Sequence, residues 1–356
     1  MNPIAGIFRR SPSRASQPDS SFQRPFLPEY EQQVLRAMLC MTRQCWEDGI
    51  AAQALLEMNH ADLLSLFVYD MVLRQSSDGR LCNVENTPAV TDSSFCVPAV
   101  YLAEALAETP DGENVPVIRQ STPGPHAQAA QKNISFFLQD AGRAKDGTLF
   151  HMIHTGQIWA DSAAFLPYSL ALTGHYEEAW TQMKGITDRL YDPQSGLYFH
   201  MWDEERHSFI RALPWGIGNG WILTGLLRTL AVWKGDDTVQ KTMEQMFRDL
   251  LERMLALETP AHLFHDILND PSTYEESETA AMVAYAIYRG IEQGLCDKDL
   301  RSCADAIRLA LHKKTSPAGL VLDAASSPSF DRPGTAVECQ AHVLMMEEAY
   351  RRCWQI

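Results

Sequence analysis

Hydrophobic side chains recur along most of the chain at the three- to four-residue spacing of an amphipathic helix. This periodicity begins at Glu29 and continues with few interruptions to the C-terminal region. It predicts helices over 29–41, 49–74 with a break at 59–60, 93–107, 125–140, 162–173, 175–189, 220–235, 237–256, 277–294, 298–313 and 335–353. The period-two alternation of a strand is brief and occurs at 148–153, 197–202 and 208–212. The chain is therefore predicted to be all-α.

Tight turns and long loops alternate between the predicted helices. Residues 173–175 and 234–237 form tight turns, whereas the long loops cover 76–92, 141–160, 190–219, 257–276 and 314–334. Helix pairs that repeat every ~50 residues are typical of a closed ring or a solenoid of hairpins. The long loops would then lie on one rim of a rigid scaffold, where binding sites are usually built.

Composition narrows the function classes. The chain has 356 residues, of which 46% are hydrophobic, and a net charge of −15 without a basic stripe, which argues against a nucleic-acid partner. Its eight cysteines form no CxxC pair, and no apolar run reaches the length of a membrane span. We expect a cytoplasmic protein with free thiols, no cofactor and no metal; the oligomeric state stays open. Residues 1–26, rich in Ser, Pro, Arg and Gln, are predicted to be a disordered or loosely draped arm before one catalytic domain over 27–356.

The richest candidate chemistry lies in the segment 196–221, GLYFHMWDEERHSFIRALPWGIGNGW. Its three clustered glycines predict positive φ angles and a close approach of the backbone to a ligand. His200, Trp215 and Trp221 supply a polar group and flat apolar faces, the usual lining of a sugar site. The alternative is a helix N-terminus packed by ordinary core tryptophans.

Two carboxylates occupy equivalent points in two similar segments. Asp92 lies in VTDSSFCVPAVYLAEAL (90–106) and Asp161 in WADSAAFLPYSLALTG (159–174), each at a predicted helix start. Simple helix capping explains most Asp residues in such positions. If both share an apolar mouth, however, repulsion raises the pKa of one of them and leaves it protonated near neutrality, as a general acid requires.

Other motifs carry less weight. His151 and His154 form an HxxH pair without the glutamate of HExxH, so a metal site is not expected. The sequence contains no GxSxG, no Walker loop and no GxGxxG after a strand, so serine hydrolysis and nucleotide binding lack support. Small polar residues before the helices at 220, 277 and 335 are N-cap signatures.

Four segments, taken in order, resemble the unsaturated glucuronyl and rhamnogalacturonyl hydrolases of glycoside hydrolase families 88 and 105. They are WADSAAFLPYSLALTG, GLYFHMWDE, WGIGNGWILTGLL and HDILNDPSTYEESETAAMVAYAI, and the resemblance spans about residues 30–353. It implies an (α/α)6 barrel of six hairpins with its site in the open mouth, in agreement with the hairpin count. It also implies an oligosaccharide substrate that carries a C4=C5 double bond.

The resemblance further implies residue roles. Asp161 becomes the general acid/base that protonates C4 and then activates water to attack C5, and Asp92 becomes the second carboxylate. The substrate-binding candidates are His200, Trp215, Trp221, Asn219, Trp159 and His151. No metal or enzymatic nucleophile is needed, unlike in ordinary glycosidases.

One position departs from the family. Where the family reads W-[AGS]-R-G-N-G-W, this chain has Ile217, which removes a cation suited to a carboxylate. His151, Arg143 or Lys145 would substitute only in part. Two alternatives therefore stay open: the same barrel redirected to a non-sugar substrate of intracellular or secondary metabolism, as a lyase, isomerase or cyclase with Asp161 as acid, and a catalytically silent carbohydrate-binding protein.

Overall fold

The computed structural model describes residues 28–83, 89–107, 124–325 and 329–354, and side chains are described except at 104–107. The predicted arm at 1–26 lies outside these residues. The described chain contains twelve α-helices: α1 Glu29–Leu39, α2 Cys45–Glu57, α3 Ala61–Leu73, α4 Val97–Ala107, α5 Pro125–Gln139, α6 Leu166–Leu172, α7 Tyr176–Leu190, α8 Gly216–Val232, α9 Asp237–Leu255, α10 Ser277–Gln293, α11 Arg301–Lys314 and α12 Val337–Cys353.

The even-numbered helices form a closed inner ring. Helix α2 contacts α4, and contacts continue in order through α6, α8, α10 and α12, which packs back on α2. The odd-numbered helices lie outside, each packed on inner helices, for example α7 on α6 and α9 on α8. The prediction of an all-α barrel of six helical hairpins is thus confirmed.

Burial follows from this two-layer arrangement. Helices α8, α10 and α12 are buried around almost their whole circumference. The outer helix α9 is amphipathic: it buries Met243, Phe247, Leu250, Leu251 and Met254, which recur every three or four residues. These inner helices are therefore buried on nearly every side, including polar residues such as Glu278 and Glu338, whereas α9 buries one apolar stripe.

Short antiparallel sheets decorate the loops. One sheet has the order β1 (Gln157–Trp159), β4 (Met201–Asp203), β5 (Ser208–Arg211); β2 (Tyr191–Asp192) pairs with β3 (Leu197–Tyr198), and β6 (Phe264–His265) with β7 (Glu275–Glu276). The predictions at 197–202 and 208–212 correspond to β3, β4 and β5. The predicted strand at 148–153 was wrong, because Leu149 and Met152 make only isolated bridges to Arg143 and Ala89.

The glycine run 216–220 forms the first turn of α8 rather than a loop before it, and none of its glycines has a positive φ. A Cβ on Gly216 would lie 2.5 Å from the Thr279 hydroxyl, and one on Gly220 would lie 2.7 Å from the Met282 side chain. The predicted role of these glycines was wrong: they let α8 and α10 pack closely. The described helices include none with the length and apolar character that a membrane span requires.

Candidate active site

The N-terminal ends of the inner helices and the long loops surround a cavity of about 590 Å³. Its wall carries aromatic rings, namely Trp46, Phe95, Trp159, Trp215, Trp221 and Phe330. It also carries four carboxylates, from Asp92, Asp161, Glu278 and Glu338. Flat apolar faces combined with a few polar groups suit a ring-shaped ligand.

Asp161 lies on a 3-10 helix, Ala160–Ala163, which follows strand β1 directly. Its side chain is 25% exposed, and its Oδ2 accepts a hydrogen bond of 3.0 Å from Nε2 of His200. Burial opposes the charged form, but the electrostatic attraction and hydrogen bond of His200 outweigh burial and lower the pKa of Asp161. Asp161 is therefore ionised in the ligand-free site.

The tautomer of His200 is fixed from its other side. Arg211, at the end of β5, donates from its guanidinium to Nδ1 of His200 over 3.1 Å. A guanidinium has no acceptor, so Nδ1 must accept and the ring proton must be on Nε2. The Arg211 guanidinium also lies 5.4 Å from the Trp215 ring centroid, a cation–π distance. Arg211 thus donates to His200, and His200 donates to Asp161, whose carboxylate lines the cavity.

Asp92 is the first residue of another 3-10 helix, Asp92–Phe95, and is 8% exposed. Nε2 of His151 lies 3.7 Å from Oδ1 of Asp92, too far for a hydrogen bond. Burial, then repulsion by Asp161 and Glu338, raises the pKa of Asp92 to about 7. The two carboxylates therefore have pKa shifts in opposite directions.

His151 lies between the two carboxylates as a neutral ring. Its Nδ1 is 2.8 Å from the Thr91 hydroxyl and 3.0 Å from the Ser162 hydroxyl. The ring stacks on Trp159 with 4.2 Å between centroids, and burial lowers the pKa of His151 to about 4. Thr91 directly precedes Asp92, and Ser162 directly follows Asp161. The hydroxyls that hold His151 therefore come from the same two segments as the aspartates.

Two tryptophans of the cavity wall are held by specific partners. The indole N–H of Trp215 donates to Oδ1 of Asp266 over 3.0 Å. Trp221 packs edge-on against Phe95, with 5.5 Å between ring centroids. Both rings are almost fully buried apart from the faces that line the cavity.

Several sequence candidates lie elsewhere. Asn219 is fully buried and is not part of the cavity wall, because its amide bonds to the backbone of Tyr198 and Trp215. Arg143 is ion-paired with Glu178, and Lys145 does not line the cavity. Ile217 does line it. The geometry therefore gives Asn219 a structural role. Neither Arg143 nor Lys145 lies where it could replace the arginine that the family has at position 217.

Sequence reasoning missed Arg211, Trp46, Glu278 and Glu338. The two glutamates lie in the first turns of α10 and α12, and the N-cap signatures predicted these helix starts without distinguishing the glutamates. Arg211 stands in a short strand without any motif. Within the described residues, no group of three or more His, Cys, Asp or Glu side chains is arranged to hold a metal ion.

A six-hairpin helical barrel with two coupled carboxylates in an aromatic mouth is an architecture found among glycoside hydrolases. Residues 118–331 match the family model of Glycosyl Hydrolase Family 88, and the chain belongs to that family. Similar proteins include the unsaturated rhamnogalacturonyl hydrolase YesR of Bacillus subtilis, 26% identical over 175 residues, or 46% of this chain and 51% of that protein. The chain spans about half the length of the curated relatives it matches.

Solved structures share the fold over nearly the full chain. A possible member of the GH105 family from Salmonella enterica superimposes with a TM-score of 0.77 at 16% identity, covering 95% of this chain and 97% of that one. The unsaturated glucuronyl hydrolase of Bacillus sp. GL1 gives 0.66 at 13% identity, covering 91% and 95%. These likenesses establish the six-hairpin barrel.

Proposed function

We propose that the protein is a glycoside hydrolase that releases an unsaturated C4=C5 uronic acid from an oligosaccharide. The observation that carries the proposal is the pair Asp92 and Asp161, which line one aromatic cavity and have opposite pKa shifts. Between the two pKa values the pair holds one proton, which the first chemical step consumes. The family, and relatives named for unsaturated sugars, support the same reaction.

In the proposed reaction a carboxylic acid of the pair, Asp161 by family resemblance, protonates C4 of the vinyl ether. Positive charge develops at C5 and the ring oxygen, and the ionised carboxylate then removes a proton from the water that attacks C5. The hemiketal formed at C5 opens, and the glycosidic bond breaks with loss of the leaving sugar. No enzymatic nucleophile is required.

The ionised resting state of Asp161 is compatible with this order of steps. A bound uronate brings a negative charge close to Asp161 and thereby raises its pKa toward that of a proton donor. The hydrogen bond from His200 favours the carboxylate and so assists the second half of the reaction, in which Asp161 acts as a base. The N-terminus of α8, whose first turn carries Ile217 and no acidic side chain, favours an anionic group of the substrate at that side of the cavity.

The test is loss of the ultraviolet absorbance of the conjugated C4=C5 carboxylate, followed with a panel of lyase-generated disaccharides. We expect a decrease for at least one member and none with Asp161→Asn. A flat trace across the panel from folded wild-type protein would contradict the proposal. NMR spectra of the products show whether the proton was added at C4 and the water at C5.

A second candidate is favoured by one observation: no Arg or Lys is among the described residues that line the cavity, and Ile217 stands there instead. The same barrel would then act as a lyase, isomerase or cyclase on an uncharged substrate, with Asp161 as acid. Salt distinguishes the two, because binding of an anionic sugar responds to ionic strength and binding of an apolar substrate does not.

A further inference from the structure

The cavity has a second acidic wall, formed by Glu278 and Glu338, that the proposed reaction does not use. Glu278 lies in the first turn of α10 and Glu338 in the first turn of α12. They are 1% and 6% exposed, and both side chains line the cavity. We call this pair the glutamate wall.

One oxygen of the buried Glu278 carboxylate, Oε1, is left without a donor by the part of the chain that the structure describes. Nδ1 of His342 lies 3.5 Å away but donates to the backbone oxygen of Glu338 over 3.0 Å. Burial keeps the pKa of His342 well below its ordinary value, so this ring brings no positive charge. An orphan acceptor of this kind is costly to bury unless a ligand pairs with it.

Helix capping does not account for Glu278. The start of α10 is already capped by Glu276, whose carboxylate accepts the backbone N–H groups of Glu278 and Thr279. Glu338 is held by the indole N–H of Trp46, which donates to its Oε1 over 2.7 Å. The side chain of Glu338 is thus positioned at the cavity rather than turned away from it.

The ionisable neighbours that act most strongly on Glu278 are all acids. Burial, and then repulsion by Glu338, Glu276 and Asp161, raises the pKa of Glu278, and burial raises that of Glu338 to about 7. No lysine or arginine is among the described lining residues, and the four carboxylates are not grouped as a metal site. A ligand with several N–H donors and a positive charge would relieve this repulsion and supply the missing donor.

We propose that the glutamate wall binds a protonated primary amine on the substrate. An ammonium has three donors and a compact charge, which suits Glu278 Oε1 and the neighbouring Glu338 carboxylate. Resting on the proposed function, this makes the sugar next to the unsaturated uronate an amino sugar whose amine is free. An N-acetyl or N-sulfo group in the same place would lack the positive charge.

The test compares two disaccharides that differ only in this group: an unsaturated uronic acid linked to glucosamine, and its N-acetylated counterpart. We expect kcat/KM for the free amine to exceed that for the amide by a factor of about 10 to 100, the range of a charged hydrogen bond. Glu278→Gln should bring the ratio close to one, and Glu338→Gln should reduce it. The matched control Glu177→Gln, an exposed acid on the outer helix α7, should keep the wild-type ratio.

A binding measurement separates this proposal from the hydrolase proposal. Ligand-observed NMR with glucosamine and N-acetylglucosamine requires no turnover. If no disaccharide of the panel is cleaved, these two included, but glucosamine binds preferentially and Glu278→Gln removes the preference, the amine site stands and the hydrolase proposal fails. If both disaccharides are cleaved at equal rates, or Glu278→Gln leaves the ratio unchanged, the amine site is overturned. A ratio cannot be lowered by misfolding alone, because unfolded protein affects both substrates equally.

Discussion

Asp92 and Asp161 have the same local backbone structure, but side chains from elsewhere in the chain give them different hydrogen-bond partners. Each lies on a four-residue 3-10 helix that leads into an inner helix, α4 or α6. Asp161 receives a hydrogen bond from His200, 39 residues away. The neutral ring of His151 lies 3.7 Å from Asp92, and the attraction of Arg80 is outweighed by burial and by repulsion from Asp161 and Glu338. The pKa of Asp161 is lowered, whereas that of Asp92 is raised to about 7.

The difference shows how one repeated element supplies two chemical roles. The repeat fixes where the carboxylates stand, and the partners that the barrel brings to them decide which one keeps a proton. Neither local sequence nor helix capping distinguishes the two. Variants that remove one carboxylate or one partner therefore test the comparison directly.

The largest effect is expected from Asp161→Asn, because it removes the group proposed to transfer the proton. Activity should fall by a factor of 10²–10⁴ at every pH, as loss of a general acid or base predicts. The measurement is kcat/KM by loss of ultraviolet absorbance, with the thermal midpoint showing that the variant is folded. More than about a tenth of the wild-type activity would contradict the assigned role.

Asp92→Asn tests whether Asp92 sets the upper limit of the pH range. In the wild type the pair loses its last proton near the Asp92 pKa of about 7, so kcat/KM should fall above that pH. In the variant only Asp161 can hold the proton, and its pKa is lowered, so the descending limb moves to acidic pH. At pH 7 the loss should be on the order of a thousandfold, because that pH lies more than three units above the pKa of Asp161, and activity should recover as the pH falls. A limb that stays near pH 7 would show that Asp92 does not control the proton.

His200→Ala addresses the other half of the comparison. Without the Nε2 donor the charged form of Asp161 is less stable, and its pKa rises. The acidic limb of the kcat/KM profile should therefore shift upward by about one unit, with about a tenfold loss of rate, the size of a hydrogen bond to a charged group. His200→Gln, which keeps an N–H donor, is the matched control and should shift less. Equal shifts in both variants would argue that ring packing against Trp215, rather than the hydrogen bond, matters.

Local sequence patterns predicted much of this molecule. Helix periodicity located the hairpins, and the repeated Asp-Ser segments located Asp92 and Asp161 at their helix starts. Both signals depend on residues within a few positions of one another. Trp215 and Trp221 were predicted from the aromatic segment 196–221, and Trp159 was predicted from the family resemblance; all three line the cavity.

The remainder depends on contacts across the barrel. The glycines of 216–220 were predicted to form a ligand-binding loop. In the structure they lack side chains where α10 packs closely against α8. Asn219 was predicted to contact the substrate, but its side-chain amide is hydrogen-bonded to the backbone of Tyr198. Glu278 lies near Glu338 at the cavity only because α10 packs against α12. None of these partners is near in sequence, so no local pattern could have identified them.

The smallest effect is expected from Arg211→Gln, which acts on Asp161 only through His200. Without the guanidinium, Nδ1 of His200 can carry the ring proton, and the fraction of rings that donate from Nε2 to Asp161 falls. The loss in kcat/KM should be only severalfold, since one of two neutral tautomers remains productive, and the cation–π contact adds about 0.5–1 kcal/mol of stability. Nitrogen NMR of the histidine ring should report Nε2–H in the wild type and a mixture in the variant. Arg211→Lys, which keeps a donor-only cation, should preserve the wild-type tautomer, and a mixture there would mean that Arg211 does not set it.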